Sequence, residues 1–433
     1  MVNSRGRYGW YVFMALALAP VFFWLAAQPL TSRLIDWQTT LTSVGQLLGL
    51  IGMAMFSLNL VLSARLKILE PYFDGLNRIY LNHHTFGATA FILLLFHPLL
   101  LVTKYIPISL TAAAEFFLPS GNSAVTYGIF GLSLMMVLLA ITFYGKFPYQ
   151  SWKSTHQYLG LAFFLASLHV FFITSDVSRA LPLRVYMLTL VAFGLAGIIY
   201  RTLLSNLLVL KYRYQVKAVR EVNNVVLEIE LAPKGKTMAY RPGQFIFISF
   251  SQPGISGEYH PFTISSSPLE TGLRLTVKHL GDFTGDLRAL TAGSDARIEG
   301  PFGKFSFLEV ELKRQIWVAG GIGITPFLSM ARSLKKYSGY GVDLFYCVKT
   351  AAEAVFIGEL EAIAKETGQL RVILFCADEK GYISAEQIDK TCGLAGKEIF
   401  VCGPAPLMKS LKDQFDGLKI PRWRVHSEEF AIL

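Results

Sequence analysis

The sequence predicts two architectures in one chain: an all-α bundle of six transmembrane helices, then a cytosolic module that pairs an antiparallel β-barrel domain with an α/β parallel-sheet domain. Long apolar runs over residues 1–210 predict the bundle. The module is predicted by short strands of alternating polarity over 211–310 and by an alternation of strands, glycine turns and helices over 311–433. With 53% hydrophobic residues and a mean hydropathy of +0.44, the chain is too apolar for an ordinary soluble enzyme.

Six apolar runs have nearly the length at which a helix crosses a bilayer. Because backbone groups in lipid must be hydrogen-bonded within their own segment, we expect these runs to be helices. The first run has the basic flanks of a signal peptide, but no convincing small-residue cleavage site follows it, so we expect a retained helix. The predicted spans are 8–28, 43–64, 80–103, 124–144, 154–174 and 183–208.

The distribution of Lys and Arg over the short connections predicts the orientation of the bundle. Most basic residues flank the spans on one side, which places the N-terminus and the C-terminal module in the cytoplasm. The opposite loops also carry basic residues, including Arg33 and Lys104, so the bias is a majority. The basic residues on the predicted cytoplasmic side are Arg5, Arg7, Arg65, Lys67, Arg78, Lys146, Lys153, Lys211 and Arg213.

Four histidines within the third and fifth predicted spans form two matched pairs. A spacing of 14 residues separates His83 from His97, and 13 residues separate His156 from His169. An ionisable residue inside a membrane span is costly, which makes it a functional hypothesis. At about 1.5 Å per residue, roughly 20 Å separates the two levels. Two helices that each give one imidazole at each level would bind two haems by bis-histidine ligation.

Helical phase fits the first pair better than the second. On an ideal helix 14 residues return to within about 40° of the same face, whereas 13 residues miss it by about 140°. The second pair therefore requires a local bulge, a helix tilt or the reach of the side chain, and His84 remains an alternative ligand to His83. A lone histidine on an apolar helix is more often buried and hydrogen-bonded than a ligand. Four histidines with near-equal spacing, each pair opening with His-x-x-x-Gly, favour the haem interpretation.

Charge and cysteine content argue against other classes of protein. The formal net charge of +10 does not indicate nucleic-acid binding, because Lys and Arg are spread along the chain without a basic cluster interleaved with stacking aromatics. Positive-inside topology and a site for an anionic dinucleotide explain the charge. The cysteines lie in the predicted cytoplasmic half, lack metal-site spacing and should be reduced thiols: Cys347, Cys376, Cys392 and Cys402.

Glycine-rich connections in the C-terminal half lie where a dinucleotide would bind. Gly281-Asp-Phe-Thr284 offers backbone amides and a hydroxyl to a pyrophosphate. Gly320-Gly-Ile-Gly-Ile-Thr-Pro326 joins a strand to a helix, where glycines let a pyrophosphate approach the helix N-terminus. Cys402-Gly-Pro404 ends another strand at the same carboxyl edge, where ligands of such sheets bind.

In this order, and together with Arg241-Pro-Gly-Gln-Phe245 and His260-Pro-Phe-Thr263, residues from about 212 onwards resemble the ferredoxin–NADP reductase family. The His-Pro-Phe-Thr variant, the Gly-Asp-Phe-Thr segment and the Gly300-Pro-Phe-Gly303 link resemble its NADPH oxidase and ferric reductase branch, transmembrane flavocytochromes b. The membrane half is similar to that branch too, with six helices and histidine pairs in the third and the fifth. The resemblance covers nearly the whole chain.

The resemblance implies a role for each matching residue. Thr263 would lie near the reactive flavin nitrogen, Cys402 beside the nicotinamide, and Phe430 over the isoalloxazine. Alternatively, Cys402 is a small buried hydrophobe and Phe430 a packing residue. The implied metal ligands are His83, His97, His156 and His169. The implied FAD site comprises His260, Pro261, Phe262, Thr263, Ser265, Gly281 and Thr284. The implied nicotinamide-dinucleotide site comprises Gly320, Gly321, Gly323, Thr325, Pro326, Lys349, Cys402, Gly403 and Pro404.

The implied function is electron transfer from cytosolic NADPH, through FAD and two b-type haems, to an acceptor on the outer face. Lys349 follows a strand where it would meet a 2′-phosphate, which favours NADPH over NADH, although lysine is a point charge and not a planar fork.

Molecular oxygen, giving superoxide, is the preferred acceptor from sequence. The longest outer loop, about residues 104–123, contains no His, Cys or Met and a single acid, Glu115, which argues against a dedicated metal site. A ferric chelate, which needs only an exposed haem edge, and a periplasmic redox partner are the alternatives. The sequence has no calcium-binding loop, Pro-rich tail or long extension, so we expect no obligatory regulatory subunit.

Overall fold

The computed structural model describes residues 5–145, 147 and 149–428, and the chain divides into two units between Leu208 and Val209. Among the residues described, the first unit consists of helices, short 3-10 turns and loops, without a strand. Its helices are α1 Arg5–Ala27, α2 Leu30–Arg33, α3 Trp37–Ser63, α4 Glu70–Phe73, α5 Leu76–Leu101, α6 Leu110–Glu115, α7 Ser123–Tyr144, α8 Tyr149–Gln157, α9 Leu159–Phe172, α10 Asp176–Arg179, α11 Leu181–Thr202 and α12 Ser205–Leu208.

Five segments in the described part of this unit are helical, long and apolar enough to cross a membrane. Among them α3 is the most buried, because it packs against α1, α5 and α11, while α7 packs against α9. In the other four most residues are partly or fully exposed, as expected of helices that face lipid. The five segments are Tyr8–Ala27, Trp37–Ser63, Leu76–Lys104, Ser123–Tyr144 and Leu181–Thr202.

The predicted fifth span, 154–174, differs from the prediction because it is not one continuous helix. Helix α8 ends at Gln157 and α9 begins at Leu159. Between them the amide of Tyr158 donates to the carbonyl of Thr155 at 3.1 Å, a tightened i to i−3 turn. The 14 residues of α9 rise about 21 Å, less than the hydrocarbon thickness of about 30 Å, so α8 must contribute to any crossing.

A buried ion pair joins two connections of this unit that are far apart in sequence. Arg33 in α2 is 3% exposed, and its Nη1 donates to Asp176 Oδ2 in α10 at 2.7 Å. Its Nη2 donates to the carbonyl of Trp24 at 2.8 Å, and its guanidinium lies 3.8 Å from the centre of the Trp24 indole. The pair therefore ties the α1–α3 connection to the α9–α11 connection.

The second unit begins with a six-stranded antiparallel sheet in the order β4-β3-β6-β1-β2-β5. An isolated bridge between Ile264 and Leu275 links the ends of the sheet, so that it closes as the predicted barrel around an apolar core. Helix α13 Asp282–Asp286 lies in the connection from β5 to β6. The strands are β1 Lys211–Asn223, β2 Val226–Pro233, β3 Phe245–Ser251, β4 His260–Thr263, β5 Leu273–Lys278 and β6 Asp295–Phe302.

A five-stranded parallel sheet in the order β11-β10-β7-β8-β9 completes this unit. Two apolar clusters pack against its two faces, which confirms the predicted α/β arrangement. The order reverses between β7 and β10, and ligands of open α/β sheets bind at such a switch point. The strands are β7 Arg314–Gly320, β8 Gly341–Val348, β9 Leu370–Cys376, β10 Glu398–Cys402 and β11 Val425–Glu428; the helices are α14 Thr325–Ser333, α15 Ile357–Thr367, α16 Ala377–Lys380, α17 Ala385–Cys392 and α18 Ala405–Gly417.

We predict that Arg33→Met destabilises the protein by roughly 3–5 kcal/mol, because it leaves the carboxylate of Asp176 buried without its partner. The double variant Arg33→Met with Asp176→Leu should be less destabilised, since neither charge remains. Thermal unfolding in detergent would compare the two with the unmodified chain. A double variant less stable than the single one would contradict this account of the ion pair.

Candidate functional site

The four predicted ligand histidines of the helical unit lie in two facing pairs. The ring centres of His83 in α5 and His156 in α8 are 6.2 Å apart. Those of His97 in α5 and His169 in α9 are 6.4 Å apart. The sequence-predicted pairing is therefore the one that the structure brings together. The side chain of His84 is exposed, whereas the ring that faces His156 is that of His83, so the geometry favours His83 over His84.

In the pair formed by His97 and His169, each ring directs Nδ1 at a backbone carbonyl. His97 Nδ1 lies 2.7 Å from the carbonyl oxygen of Gly45 in α3, and His169 Nδ1 lies 2.8 Å from that of Ala124 in α7. A carbonyl can only accept, so we assign the proton to Nδ1 in both rings. This tautomer leaves the lone pair of each Nε2 for a ligand between the rings.

The contacts of the ring nitrogens differ at the pair formed by His83 and His156. His83 Nδ1 lies 3.2 Å from the carbonyl oxygen of Asn59, a longer contact than at the other pair. His156 Nδ1 is buried without a hydrogen-bond partner among the described residues. Instead, the indole of Trp152 stacks on the His156 ring, with centres 5.4 Å apart and planes 13° apart.

Both pairs have a separation at which the two imidazoles could hold one metal ion between them. With metal–nitrogen bonds of about 2 Å on opposite sides of the ion, and each ring centre about 1 Å behind its nitrogen, two ring centres lie about 6 Å apart. Across the described residues, no cluster of three or more His, Cys, Asp or Glu side chains is placed to hold a metal ion. A metal between either pair therefore needs further ligands from a group such as a porphyrin, and the residues present fit a bis-histidine haem.

The break at Tyr158 answers the phase problem of the second pair. His156 lies on α8 and His169 on α9, so the 13 residues between them do not belong to one continuous helix. The tightened turn supplies the local irregularity that their spacing requires. Both rings can then face α5, although their spacing on an ideal helix forbids it.

Sequence reasoning missed two glycines that make room for the imidazoles. A Cβ atom at Gly49 would lie 2.6 Å from His97 Nδ1, and one at Gly128 would lie 2.8 Å from His169 Nδ1. Neither contact is possible without moving the ring, so the two histidines depend on these glycines. Both glycines sit in long apolar helices, α3 and α7, where the sequence signal is only a glycine on a helix that packs closely against another.

The predicted flavin-binding residues gather along β4 and the connection after β5. Pro261 and Phe262 lie on β4, which pairs with β3. The ring of His260 on the same strand stacks on Phe283 at 3.5 Å, which brings the Gly281 to Thr284 segment against this strand. Thr263 is 6% exposed, and its Oγ1 has no hydrogen-bond partner among the described residues. An orphaned buried hydroxyl at the end of β4 fits a residue that hydrogen-bonds to a bound cofactor.

Two of the predicted flavin ligands already have partners within the protein. The Thr284 hydroxyl donates to the carbonyl of Gly281 at 2.9 Å and accepts from the amides of Leu280 and Gly281, so it shapes the turn. The Ser265 hydroxyl accepts from Thr276 Oγ1 at 2.9 Å. In the described structure these two side chains order the segments around Thr263.

The predicted nicotinamide-dinucleotide residues surround the switch point of the parallel sheet. Strands β7 and β10 are neighbours, with Ala319 opposite Cys402. A Cβ atom at Gly323 would lie 2.3 Å from the carbonyl oxygen of Cys402, so only glycine lets the two connections approach this closely. The left-handed φ of +54° at Gly321 also favours glycine. Gly320 ends β7, Thr325 and Pro326 begin α14, and Gly403 and Pro404 follow β10.

The remaining predicted residues differ in their surroundings. Cys402 is fully buried, which raises the pKa of its thiol, and its Sγ donates to the carbonyl of Glu428 on β11 at 3.6 Å. Cys402 is therefore a neutral thiol at the switch point. Lys349 lies just after β8 and is exposed. Phe430 lies outside the described residues.

Comparison with known families matches three consecutive parts of the chain. Residues 48–167 match the ferric reductase like transmembrane component, residues 211–315 an FAD-binding domain, and residues 317–413 an oxidoreductase NAD-binding domain. The first match contains His83, His97 and His156, and it ends two residues before His169. The other two contain the barrel and most of the parallel-sheet domain.

Among curated relatives, the chain is 28% identical over 234 residues to the glycine betaine monooxygenase reductase subunit of Chromohalobacter salexigens. That match covers 50% of this chain and 63% of the relative, so the chain spans under two thirds of that relative's length. It is 33% identical over 143 residues to dual oxidase 2 of Rattus norvegicus, covering 29% of this chain and 9% of that protein. A flavohemoglobin structure from Malassezia yamatoensis matches with a TM-score of 0.49 and 20% identity, covering 76% of this chain and 88% of that one.

We predict that Gly323→Ala lowers the rate of flavin reduction by NAD(P)H by about tenfold or more, because the added Cβ displaces the nucleotide loop from the Cys402 carbonyl. The matched control is Gly358→Ala in α15, where an added Cβ meets no atom within 4 Å. Anaerobic stopped-flow absorbance of the flavin would measure both variants. Equal rates for Gly323→Ala and Gly358→Ala would exclude a role for this close approach.

Proposed function

We propose that this chain transfers electrons from cytosolic NADPH across a membrane. It combines a ferric reductase like transmembrane component with FAD- and NAD-binding domains, and so belongs to the NADPH oxidase and ferric reductase-like family. The path would run through FAD and two b-type haems to an acceptor on the outer face. We further propose that the membrane is a bacterial inner membrane, with the N-terminus and the second unit in the cytoplasm. The bias of basic residues in the short connections supports this orientation.

The observation that carries the proposal is the presence of two facing histidine pairs. Two imidazole pairs with ring centres 6.2 and 6.4 Å apart share the helix α5 and lie 14 residues apart along it. That spacing corresponds to about 20 Å. In an apolar bundle, two such levels divide the thickness of a membrane into steps that electrons can cross. Neither a soluble reductase nor a purely structural bundle requires this arrangement.

The residues of this chain would bind and orient the cofactors. Bound FAD supplies the conversion of a two-electron donor into single electrons, and bound haems supply one-electron carriers. His83 and His156 would hold one haem, and His97 and His169 the other. The orphaned hydroxyl of Thr263 would hydrogen-bond to the flavin, and the glycine loop before α14 would hold the dinucleotide.

NADPH is the proposed donor, and Lys349 is the residue proposed to select it. Lys349 is exposed just beyond β8, next to the sheet edge where the glycine loop lies. A lysine there offers a point charge to a 2′-phosphate. Cys402, a neutral and buried thiol, would pack beside the nicotinamide without taking part in proton transfer.

Oxygen is the proposed acceptor. One NADPH would reduce two molecules of oxygen to two of superoxide and leave NADP⁺ and one proton. The support is chemical: the connection between α5 and α7 carries no His, Cys or Met side chain for a metal, and oxygen needs only access to a haem. A ferric chelate or a periplasmic redox partner is the alternative acceptor, and the following experiment separates them.

The detergent-purified chain, given FAD, haem and NADPH without oxygen, should show reduced flavin and reduced haem without any second protein. Immediate reoxidation on admission of oxygen, with two superoxide per NADPH, would support an oxidase. Slow reoxidation in air but fast reoxidation by a ferric chelate would replace the oxidase with a metal reductase. Reoxidation by neither would indicate a periplasmic partner. In the same assay His97→Ala should lose acceptor reduction and one haem but keep flavin reduction.

We also predict that Gly49→Ala lowers the haem content from two per chain towards one, because the added Cβ would lie 2.6 Å from His97 Nδ1. The matched control is Gly160→Ala in α9, whose Cβ would meet Ile198 at an ordinary 3.6 Å. A pyridine haemochrome assay against protein concentration would give the ratio. Full haem content in Gly49→Ala would remove His97 from the ligand assignment.

A further inference from the structure

Helix α14 connects the glycine loop to the segment that follows β4. The helix begins at Thr325, directly after the glycine loop, and its residues 329–333 reach residues 265–267 of the barrel domain. Three hydrogen bonds join the two. Arg332 Nη1 donates to the carbonyl of Ser265 at 2.7 Å, and Ser329 Oγ donates to the carbonyl of Ser266 at 2.6 Å. The hydroxyls of Ser267 and Ser333 lie 2.9 Å apart.

The guanidinium of Arg332 is oriented by a bidentate ion pair within its own domain. Its Nε and Nη2 donate to the two carboxylate oxygens of Glu359 in α15 at 2.6 and 2.8 Å. This bidentate contact fixes the plane of the guanidinium and leaves Nη1 to reach the carbonyl of Ser265. Glu228 on the barrel strand β2 adds a second carboxylate, 3.5 Å from Nη2.

The charge of Arg332 is maintained although the side chain is only 5% exposed. Burial lowers the pKa of Arg332, but the hydrogen bond and the charge of Glu359 outweigh burial, so the pKa is raised overall. A buried ion pair is weak grounds for stability, since apolar residues of similar volume often serve as well. What an apolar residue cannot do is hold the Ser265 carbonyl at a fixed position.

The position of that carbonyl matters because Ser265 is two residues from Thr263, whose buried hydroxyl has no partner among the described residues. The nine residues of α14 rise about 13 Å. The nucleotide loop lies at the N-terminal end of this helix, and the flavin-side segment lies near its C-terminal end. Hydride transfer requires reacting atoms about 3–3.5 Å apart. A small shift of either end of α14 therefore changes the approach of nicotinamide to flavin.

We propose that Arg332 is a positioning residue for hydride transfer. Its ion pair with Glu359 orients the guanidinium, which holds the Ser265 carbonyl and so fixes the position of the flavin-binding segment relative to the nucleotide loop. The proposal rests on the proposed function insofar as this chain passes a hydride from NADPH to FAD. In that step the C–H bond of the dihydronicotinamide breaks, its hydrogen and electron pair pass to the flavin, and NADP⁺ leaves. Arg332 touches neither reactant.

The test compares Arg332→Met, Arg332→Lys and Glu359→Gln with Lys335→Met in the full-length chain. Lys335 is an exposed cation just beyond the end of α14, so its variant controls for loss of charge. Arg332→Met should lower the anaerobic rate of flavin reduction by NADPH about tenfold or more, with KM for NADPH and FAD affinity changed less than about twofold. Arg332→Lys should not restore the rate, because an ammonium cannot keep the bidentate contact and also reach Ser265. Glu359→Gln should give an intermediate rate.

A second measurement does not depend on activity. Hydrogen exchange of residues 264–267 and of the last turn of α14 should become faster in Arg332→Met, with or without FAD, and stay unchanged in Lys335→Met. Unchanged exchange, or an unchanged rate of flavin reduction in an FAD-loaded Arg332→Met, would overturn the proposal. If Arg332→Met does not fold, Arg332→Lys and Glu359→Gln decide it by the same two readouts.

The failure of this inference is distinguishable from the failure of the proposed function. If the unmodified chain itself is not reduced by NADPH, the proposed function fails while the exchange experiment still tests the Arg332 contact. If the unmodified chain is reduced normally and the variants match it, only the role of Arg332 fails.

Discussion

An imidazole among apolar helices has two ring nitrogens that need partners, and in three of the four paired histidines a backbone carbonyl lies at Nδ1. Lipid offers no water to hydrogen-bond to, so such a partner has to come from within the protein. Helix carbonyls can provide it, because each oxygen has a second lone pair beyond its bond within the helix. At His97 and His169 the carbonyls of Gly45 and Ala124 fill this role. The other nitrogen of each ring is then left facing its partner histidine.

Such contacts demand that helices approach closely, which explains the glycines near the histidines. A Cβ at Gly45 would lie 3.0 Å from Leu100 Cβ on α5, so the carbonyl that His97 needs is accessible because this residue is small. The His-x-x-x-Gly pattern is less uniform than it looks in the sequence. Gly87 is packed against Asn59, whose Nδ2 would lie 2.9 Å from an added Cβ, whereas Gly160 has ordinary space around it. The same letters therefore reflect different constraints at the two histidine pairs.

Much of the architecture follows from the sequence, because apolar run length, strand alternation and glycine position are local signals. Five of the six spans, the barrel, the parallel sheet and the grouping of Gly320 with Cys402 at its switch point could be anticipated in this way. The spacing of His156 and His169 allowed for a local irregularity, but its position at Tyr158 could not be anticipated, since a tightened turn depends on packing and leaves no Pro or Gly at that position. Arg332 was missed for a different reason: its partners, Glu359 and Ser265, lie far away in sequence.

The second unit also has to hold two segments at a precise relative position. The helical unit meets this kind of constraint with glycines, and the second unit meets it with contacts to the backbone. Two segments that would hold different reactants lie on different domains, and their relative position must be set to a fraction of an ångström. Contacts between two side chains adjust too easily for this task, because each partner can change rotamer without moving the backbone. Contacts from α14 to the carbonyls of Ser265 and Ser266 act on the backbone directly. Because α14 also begins at the glycine loop, a single helix connects the two segments. Their relative position is then set by the geometry of one short helix.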